Sequence, residues 1–184
     1  MDADSDPFEP ILTERLRLRC LTPEDAAGLA ATLTPEVVER LASWPPVVTS
    51  EIAAARIAEN RRRMRDDGDL MSFGVERRSD GLIVGGVGAR VKAETPDRAE
   101  IGYHLGSAHH GLGYGFEATA ALVRAVWSLT QVSLIEACAQ PDNHASFAIM
   151  RKLGMEPAGE VAVFSSGRDR WEVCRNYALR RSAT

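Results

Sequence analysis

The chain has 184 residues, a formal net charge of −4, 45% hydrophobic and 26% charged residues, which is the length of one domain at about 150 residues apiece. This near-average composition excludes a disordered, collagenous or disulfide-stapled protein. The mild acidity argues against a nucleic-acid partner, because domains that bind nucleic acid carry a net basic footprint.

Residues 1–10, MDADSDPFEP, are acidic, lack the basic and apolar regions of a leader, and read as a loose N-terminal tail. No apolar run approaches the ~20 residues that span a bilayer, so the expectation is a cytoplasmic protein with no membrane contact. Cys20, Cys138 and Cys174 form no CxxC pair and read as three reduced, buried thiols.

Ile11–Leu21 alternates apolar and polar residues and predicts a strand. Thr22-Pro23-Glu24-Asp25 supplies a cap, a proline at the first helical position and first-turn acids, so a helix follows. Trp44-Pro45-Pro46 breaks the chain, and Thr49 or Ser50 caps a second helix that runs to about Asp67 and ends at Gly68. Leu70–Arg77 and Gly81–Val91 predict two strands joined by the Ser79-Asp80-Gly81 turn. In Ala99–Leu105, Ile101, Tyr103 and Leu105 share one face while Glu100, Gly102 and His104 share the other.

Tyr114–Leu129 has helical apolar spacing through Ala118, Leu122, Val126 and Leu129. Val132–Ala139 predicts a strand, and Asn143–Leu153 a helix capped at Asp142 or Asn143 and closed by Gly154. Strands near Glu160–Phe164 and Arg170–Leu179 end the chain. The order is that of a single α/β (α+β) domain over residues 1–184, with a mixed, mostly antiparallel twisted sheet of about seven strands flanked by about four helices.

The segment IGYHLGSAHHGLGYGFE, Ile101–Glu117, carries the most information. Gly111, Gly113 and Gly115 lie where a strand turns into a helix, a place where backbone N–H groups and the helix N-terminus converge on an anion. A flexible turn explains the same glycines. Phe116 stands where a dinucleotide fingerprint needs glycine, and the Gly-Lys-Ser/Thr of a nucleotide-triphosphate loop is absent.

HHGLGYGFEA resembles the acetyl-CoA-binding motif of the GNAT acetyltransferases, Arg/Gln-x-x-Gly-x-Gly/Ala, here His110-Gly111-Leu112-Gly113-Tyr114-Gly115. PDNHASFAIMRKLGM matches that family's Asn-x-x-Ser and Lys-Leu-Gly-hydrophobic signature. TERLRLRCLTPEDA and RRSDGLIVGGVGAR extend the likeness to the RimJ/RimL-type N-acetyltransferases over most of the chain. His110 and Leu112 depart from the family's basic residues. A histidine still donates a hydrogen bond and a leucine does not, so diphosphate binding shifts toward backbone N–H groups.

The resemblance implies a GNAT fold, acetyl-CoA as acyl donor, direct attack by a primary amine beside a splayed Ala99–Leu105 strand, and allows a homodimer; the absence of metal-ligand spacing adds the expectation of no metal. The acceptor is a protein N-terminal α-amine or a small-molecule amine. It places Leu105, His110, Gly111, Leu112, Gly113, Tyr114, Gly115, Phe116, Asn143 and Ser146 at the cofactor. Glu100 stands where relatives carry a catalytic glutamate, and His104 is the alternative base. Ser146 matches the serine that bonds the CoA sulfur.

Each also has a plainer reading: a solvated strand acid for Glu100, a cleft-lining histidine for His104, a first-turn hydroxyl for Ser146 and a helix cap for Asn143. Phe147, Met150 and Leu153 read as core, and Arg61-Arg62-Arg63-Met64-Arg65 as a solvated helix end neutralised by Asp66, Asp67 and Asp69. His109, His110 and His144 lack metal-ligand spacing. An acyl-CoA-binding module or sensor without turnover is the alternative to an N-acetyltransferase.

Overall fold

The computed structural model describes residues 6–181. Its eight-stranded sheet has the order β1-β2-β3-β4-β5-β6-β8-β7, antiparallel except where β5 meets β6. The predicted fold class therefore holds, with eight strands and five α-helices among the described residues. The first predicted strand is two, β1 (Ile11–Leu12) and β2 (Leu16–Arg19). Between them Thr13 N donates back to Leu16 O at 2.9 Å, which folds the run into a tight hairpin.

Thr22 stands at the cap position the sequence announces, and Asp25 closes a capping box by accepting from Thr22 N at 2.8 Å. The turn it starts is a 3-10 turn, and α1 (Ala26–Thr32) follows. The unanticipated α2 (Pro35–Val38) is opened by Thr34-Pro35-Glu36, the same cap-proline-acid signal met at Thr22. In α3 (Ser50–Asp66), Thr49 caps by accepting from Ile52 N. The strands β3 (Leu70–Arg77), β4 (Ile83–Val91) and β5 (Arg98–Leu105) then build the sheet centre. After α4 (Tyr114–Leu129) come β6 (Leu134–Ala139), α5 (His144–Lys152), β7 (Glu156–Ser165) and β8 (Arg170–Arg180).

Two apolar clusters hold these layers. The larger packs Ala118, Leu122 and Val126 of α4 and Phe147 and Met150 of α5 on strand residues such as Val75, Ala99 and Ile101. The smaller gathers Leu29, Leu33, Val37, Trp44, Ala53 and Ile57 over Ile83. Ile101 and His104 obey the predicted alternation, with Ile101 in the α4 cluster and His104 on Thr32 of α1. Five residues of the expected tail, 1–5, lie outside the described residues, and Phe8 packs edge-on against Phe73 at 5.7 Å.

The feature that positions the site is a parting of the sheet. β5 and β6 pair only at Arg98–Leu134, Ala99–Ile135 and Glu100–Glu136. Beyond that point β5 stays on β4 as far as Leu105, and β6 stays on β8 as far as Ala139.

Candidate active site

A cleft of about 1260 Å³ opens at the parting. On one wall the glycine turn leads into α4. Gly111 and Gly113 adopt φ of +75° and +82°, the left-handed region that favours glycine. Gly115 is needed for another reason: a Cβ there would come within 2.9 Å of Ile149 Cδ1 on α5.

The turn leaves a run of free donors. Glu117 N is the first amide of α4 to find an acceptor, Gly113 O at 3.1 Å, and among the described residues the N–H groups of Gly111 to Phe116 donate to no protein acceptor. Successive unpaired amides at a helix N-terminus attract an anion.

This turn is braced from a distance. Glu117 accepts from the Thr13 hydroxyl at 2.6 Å, Arg15 N at 2.8 Å and Arg15 Nε at 2.7 Å. Arg15 Nη1 also donates to Leu112 O at 2.9 Å, while its guanidinium lies 4.7 Å from the Tyr114 ring centroid. Desolvation would raise the Glu117 carboxyl, but the bonds from Thr13 and Arg15 outweigh it and hold the group below its usual range.

Of the predicted site residues, Glu100, His104, Leu105, His110, Gly111, Gly113, Gly115, Phe116, Asn143 and Ser146 line the cleft together. The side chains of Leu112 and Tyr114 do not: Leu112 is 50% exposed and Tyr114 lies under Arg15. The His110 Nε2 sits 3.0 Å from Leu105 O, so its ring folds back on the strand end. Phe116 is covered by Lys152, with Nζ 4.1 Å from the ring centroid.

Asn143 caps α5 by accepting from Ser146 N at 3.2 Å, as its plainer reading anticipated. The Ser146 hydroxyl has no hydrogen-bond partner among the described residues. Tyr103, which the sequence reading passed over, donates from its phenol to Ser146 O at 3.2 Å. Burial pushes that phenol up to about 12, so it keeps its proton at physiological pH. Strand parity was the signal that could have found it, because Tyr103 faces α5 where Glu100 cannot.

Glu100 is exposed and holds Lys92 Nζ at 2.6 Å. His104 differs in kind. Its Nε2 lies 3.1 Å from Thr32 Oγ1, and that hydroxyl already gives its proton to Leu29 O at 2.8 Å. Nε2 therefore carries hydrogen and Nδ1 the lone pair. Desolvation pushes the ring down to about 4, so it stays neutral near pH 7.

Cys20 and Cys174 are buried as expected, but Cys138 is exposed. Its strand has lost the β5 neighbour that would cover it, and the side chain opens on the cleft. Desolvation by the surrounding walls, with Cys174 and Glu100 nearby, still pushes the thiol up to about 12, so it is a poor nucleophile. No group of three or more His, Cys, Asp or Glu able to hold a metal occurs among the described residues, and no helix there is long and apolar enough to cross a membrane.

The opposite wall comes from the smaller layer. Trp44 is buried, and Arg56 Cζ lies 4.5 Å from its ring centroid. Arg168 donates to Glu172 and to Val38 O and Leu41 O, tying the β7–β8 hairpin to α2. Its guanidinium, with Arg170 and Gln140, holds the Glu172 carboxyl down at about 2. Between the walls the sheet floor is nearly bare: Gly86, Gly88 and Gly102 line it, and a Cβ on Gly102 would meet nothing within 4 Å.

Residues 15–156 match the family model described as "Acetyltransferase (GNAT) domain". The chain is 30% identical over 151 residues to the uncharacterized N-acetyltransferase YoaA of Bacillus subtilis, covering 82% of this chain and 85% of that one. To the uncharacterized N-acetyltransferase p20 of Bacillus licheniformis it is 27% identical over 165 residues, or 89% and 91% of the two chains. Among solved structures, a putative ribosomal-protein-serine acetyltransferase from Vibrio cholerae superimposes with a TM-score of 0.80 at 22% identity, over 96% and 100% of the chains. RimL, a ribosomal L7/L12 alpha-N-protein acetyltransferase in complex with coenzyme A, gives 0.78 at 19%, over 94% and 98%.

Proposed function

Because the chain belongs to the GNAT acetyltransferase family and is an acyltransferase, we propose that its cleft binds acetyl-CoA and passes the acetyl group directly to a primary amine. The observation that carries this reading is the parted sheet, whose free β5 edge ends at the run of unpaired amides from Gly111 to Phe116. A diphosphate fits the amides, and an extended pantetheine arm fits an unpaired strand edge that has lost its neighbour. Asn143 and Ser146 stand at the head of α5 beside that edge.

In the reaction the amine nitrogen forms a bond to the acetyl carbon, the carbon–sulfur bond breaks, and the sulfur leaves as a thiolate that takes up a proton. The Ser146 hydroxyl is free to hydrogen-bond the sulfur, and the Tyr103 phenol is a second proton source on the same wall. Glu100 takes the proton that the acceptor nitrogen gives up as it bonds to the acetyl carbon, directly or through water. His104 is not given this proton, because taking it would place a positive charge on a desolvated ring already held through Nε2 by Thr32; its Nδ1 serves as a neutral hydrogen-bond acceptor.

The acceptor is a protein N-terminal α-amine or a small amine. The RimL and Vibrio cholerae structures favour the first only by analogy of fold. The second reading, a CoA-binding sensor, draws on His110, which spends its Nε2 on Leu105 O instead of the open turn.

One assay separates them: release of free CoA thiol from acetyl-CoA in the presence of a panel of amines. Amine-dependent thiol release is expected. Binding of CoA without release from any amine would leave only the sensor. In the same assay a Glu100→Gln variant with full rate from pH 6 to 9 would remove Glu100 as the base.

A further inference from the structure

Of the seven arginines and lysines that line the cleft, six have a carboxylate partner among the described residues and one, Arg56, has none. Among the cations lining the cleft, Arg40 has Asp142 at 2.7 Å, Arg61 has Asp6 at 2.8 Å, Lys92 has Glu100 at 2.6 Å and Arg168 has Glu172 at 2.7 Å. Arg63 and Arg90 must share Asp69. Arg56 has no carboxylate among the described residues; its Nη2 donates to Ser43 O at 2.6 Å, and its Cζ lies 4.5 Å from the Trp44 ring centroid.

Arg56, Asn60 and Arg63 follow one another at helical spacing along the cleft face of α3. Asn60 Nδ2 donates to Ser72 Oγ at 3.0 Å, and Ser72 of β3 pairs with Gly88 of β4 on the bare floor. Burial and repulsion from Arg63 both act against the Arg56 charge. A half-buried guanidinium facing a like charge is costly unless a counter-ion arrives. This occurs in a protein whose net charge is negative, so general basicity does not explain it.

We infer that Arg56, held on Trp44, is a docking site for an oxyanion, carboxylate or phosphate, carried by the amine acceptor itself. The inference rests on the reading of the cleft as an acetyl-transfer site. A guanidinium presents paired N–H donors that match a carboxylate or phosphate edge, and the aromatic platform fixes its plane. The glycine floor leaves the acceptor room to stretch from this anchor toward the sheet parting. The acceptor class is thus a primary amine with an anionic group on the same molecule, and a plain alkylamine lacks half of the recognition.

The test uses matched acceptors with acetyl-CoA: amino acids against their amides, and aminoalkyl phosphates against the corresponding amino alcohols. Wild-type protein is expected to prefer the anionic member of a pair by about tenfold or more in kcat/KM. The preference should collapse in Arg56→Gln, persist in part in Arg56→Lys, and survive in Arg62→Gln, whose side chain is exposed and paired with Glu59 and Asp67. Carboxylate and phosphate arms show which anion fits.

Equal use of anionic and neutral partners by wild type overturns the inference. So does a raised KM for acetyl-CoA with unchanged acceptor preference in Arg56→Gln, which would give the anion to the cofactor. Should no amine be acetylated, the transfer reading fails on its own. Calorimetric titration of CoA-loaded protein with the same pairs then decides: anion binding lost in Arg56→Gln supports the docking site, and no anion binding by wild type overturns it.

Discussion

The two walls of the cleft are built on different principles. The wall formed by the glycine turn, α4 and α5 comes from one stretch of chain, and its contacts follow from backbone geometry: left-handed glycines, open amides, a helix cap. The facing wall draws Trp44, Arg56, Arg90 and Arg168 from distant parts of the sequence and works through side-chain charge. A backbone site tolerates changes of side chain that it does not use, which is why Leu112 can point into solvent while its N–H stays in place. On the proposed reading a charged wall has no such tolerance, and substitutions of its charged residues are expected to change what the cleft accepts.

The largest test of that contrast is Gly102→Val on the bare floor. The added side chain enters open space, so stability is expected to change by less than about 1 kcal/mol. Acceptor kcat/KM should fall on the order of 100-fold because the trough is filled. Wild-type kinetics with an intact fold would show that the acceptor does not cross this floor.

Of similar size is a pH effect from the same side. His104 is held down at about 4 in the folded protein against about 6.5 when unfolded. Its depressed value means the unfolded chain takes up the proton first, so its contribution is present above pH 6.5 and is lost as pH falls from 6.5 toward 4. The loss amounts to about 3 kcal/mol. Urea denaturation of wild type and His104→Gln at pH 7.5 and 4.5 should show a smaller acid-side loss in the variant, and equal losses would contradict the buried neutral ring.

The backbone wall is probed through its brace. Glu117→Gln keeps the shape but weakens the charge-assisted bonds from Thr13 and Arg15. The expected cost is about 2 kcal/mol, a few degrees in Tm, together with a several-fold higher KM for acetyl-CoA and an unchanged preference among acceptors. A changed acceptor preference would mean that the walls are not independent. Smallest of all, Lys92→Met breaks an exposed pair beside Glu100 and should change stability by less than about 0.5 kcal/mol in the same denaturation experiment.

What the sequence revealed follows the same division. β3 and α4 have the bounds their patterns predicted, since apolar spacing and the terminating residues are written locally. The Asn143 cap and the glycine turn were legible for the same reason. The short helix α2 escaped attention although Thr34-Pro35-Glu36 announces it, because four residues carry no periodicity. Arg15 and Glu117 stood inside two recognised motifs, yet nothing in either motif says that they meet. Arg63 read as part of a solvated helix end, and packing of α3 over β3 turned it toward the cleft. Cys138 read as buried from its apolar neighbours, and only the parting of the strands exposes it.

That parting has a consequence for what can enter. An unpaired strand edge at the rim of a sheet is open to any other chain and invites association between molecules. Here a second edge lies inside the sheet, with β4 and β5 fixed on one side and β6 and β8 on the other. A partner must thread between them endwise, and the three paired positions at Arg98–Glu100 close the far end. Slenderness is therefore a condition of entry: a flexible arm one chain wide can use the exposed hydrogen-bonding groups, and a folded protein's strand, with neighbours of its own, cannot.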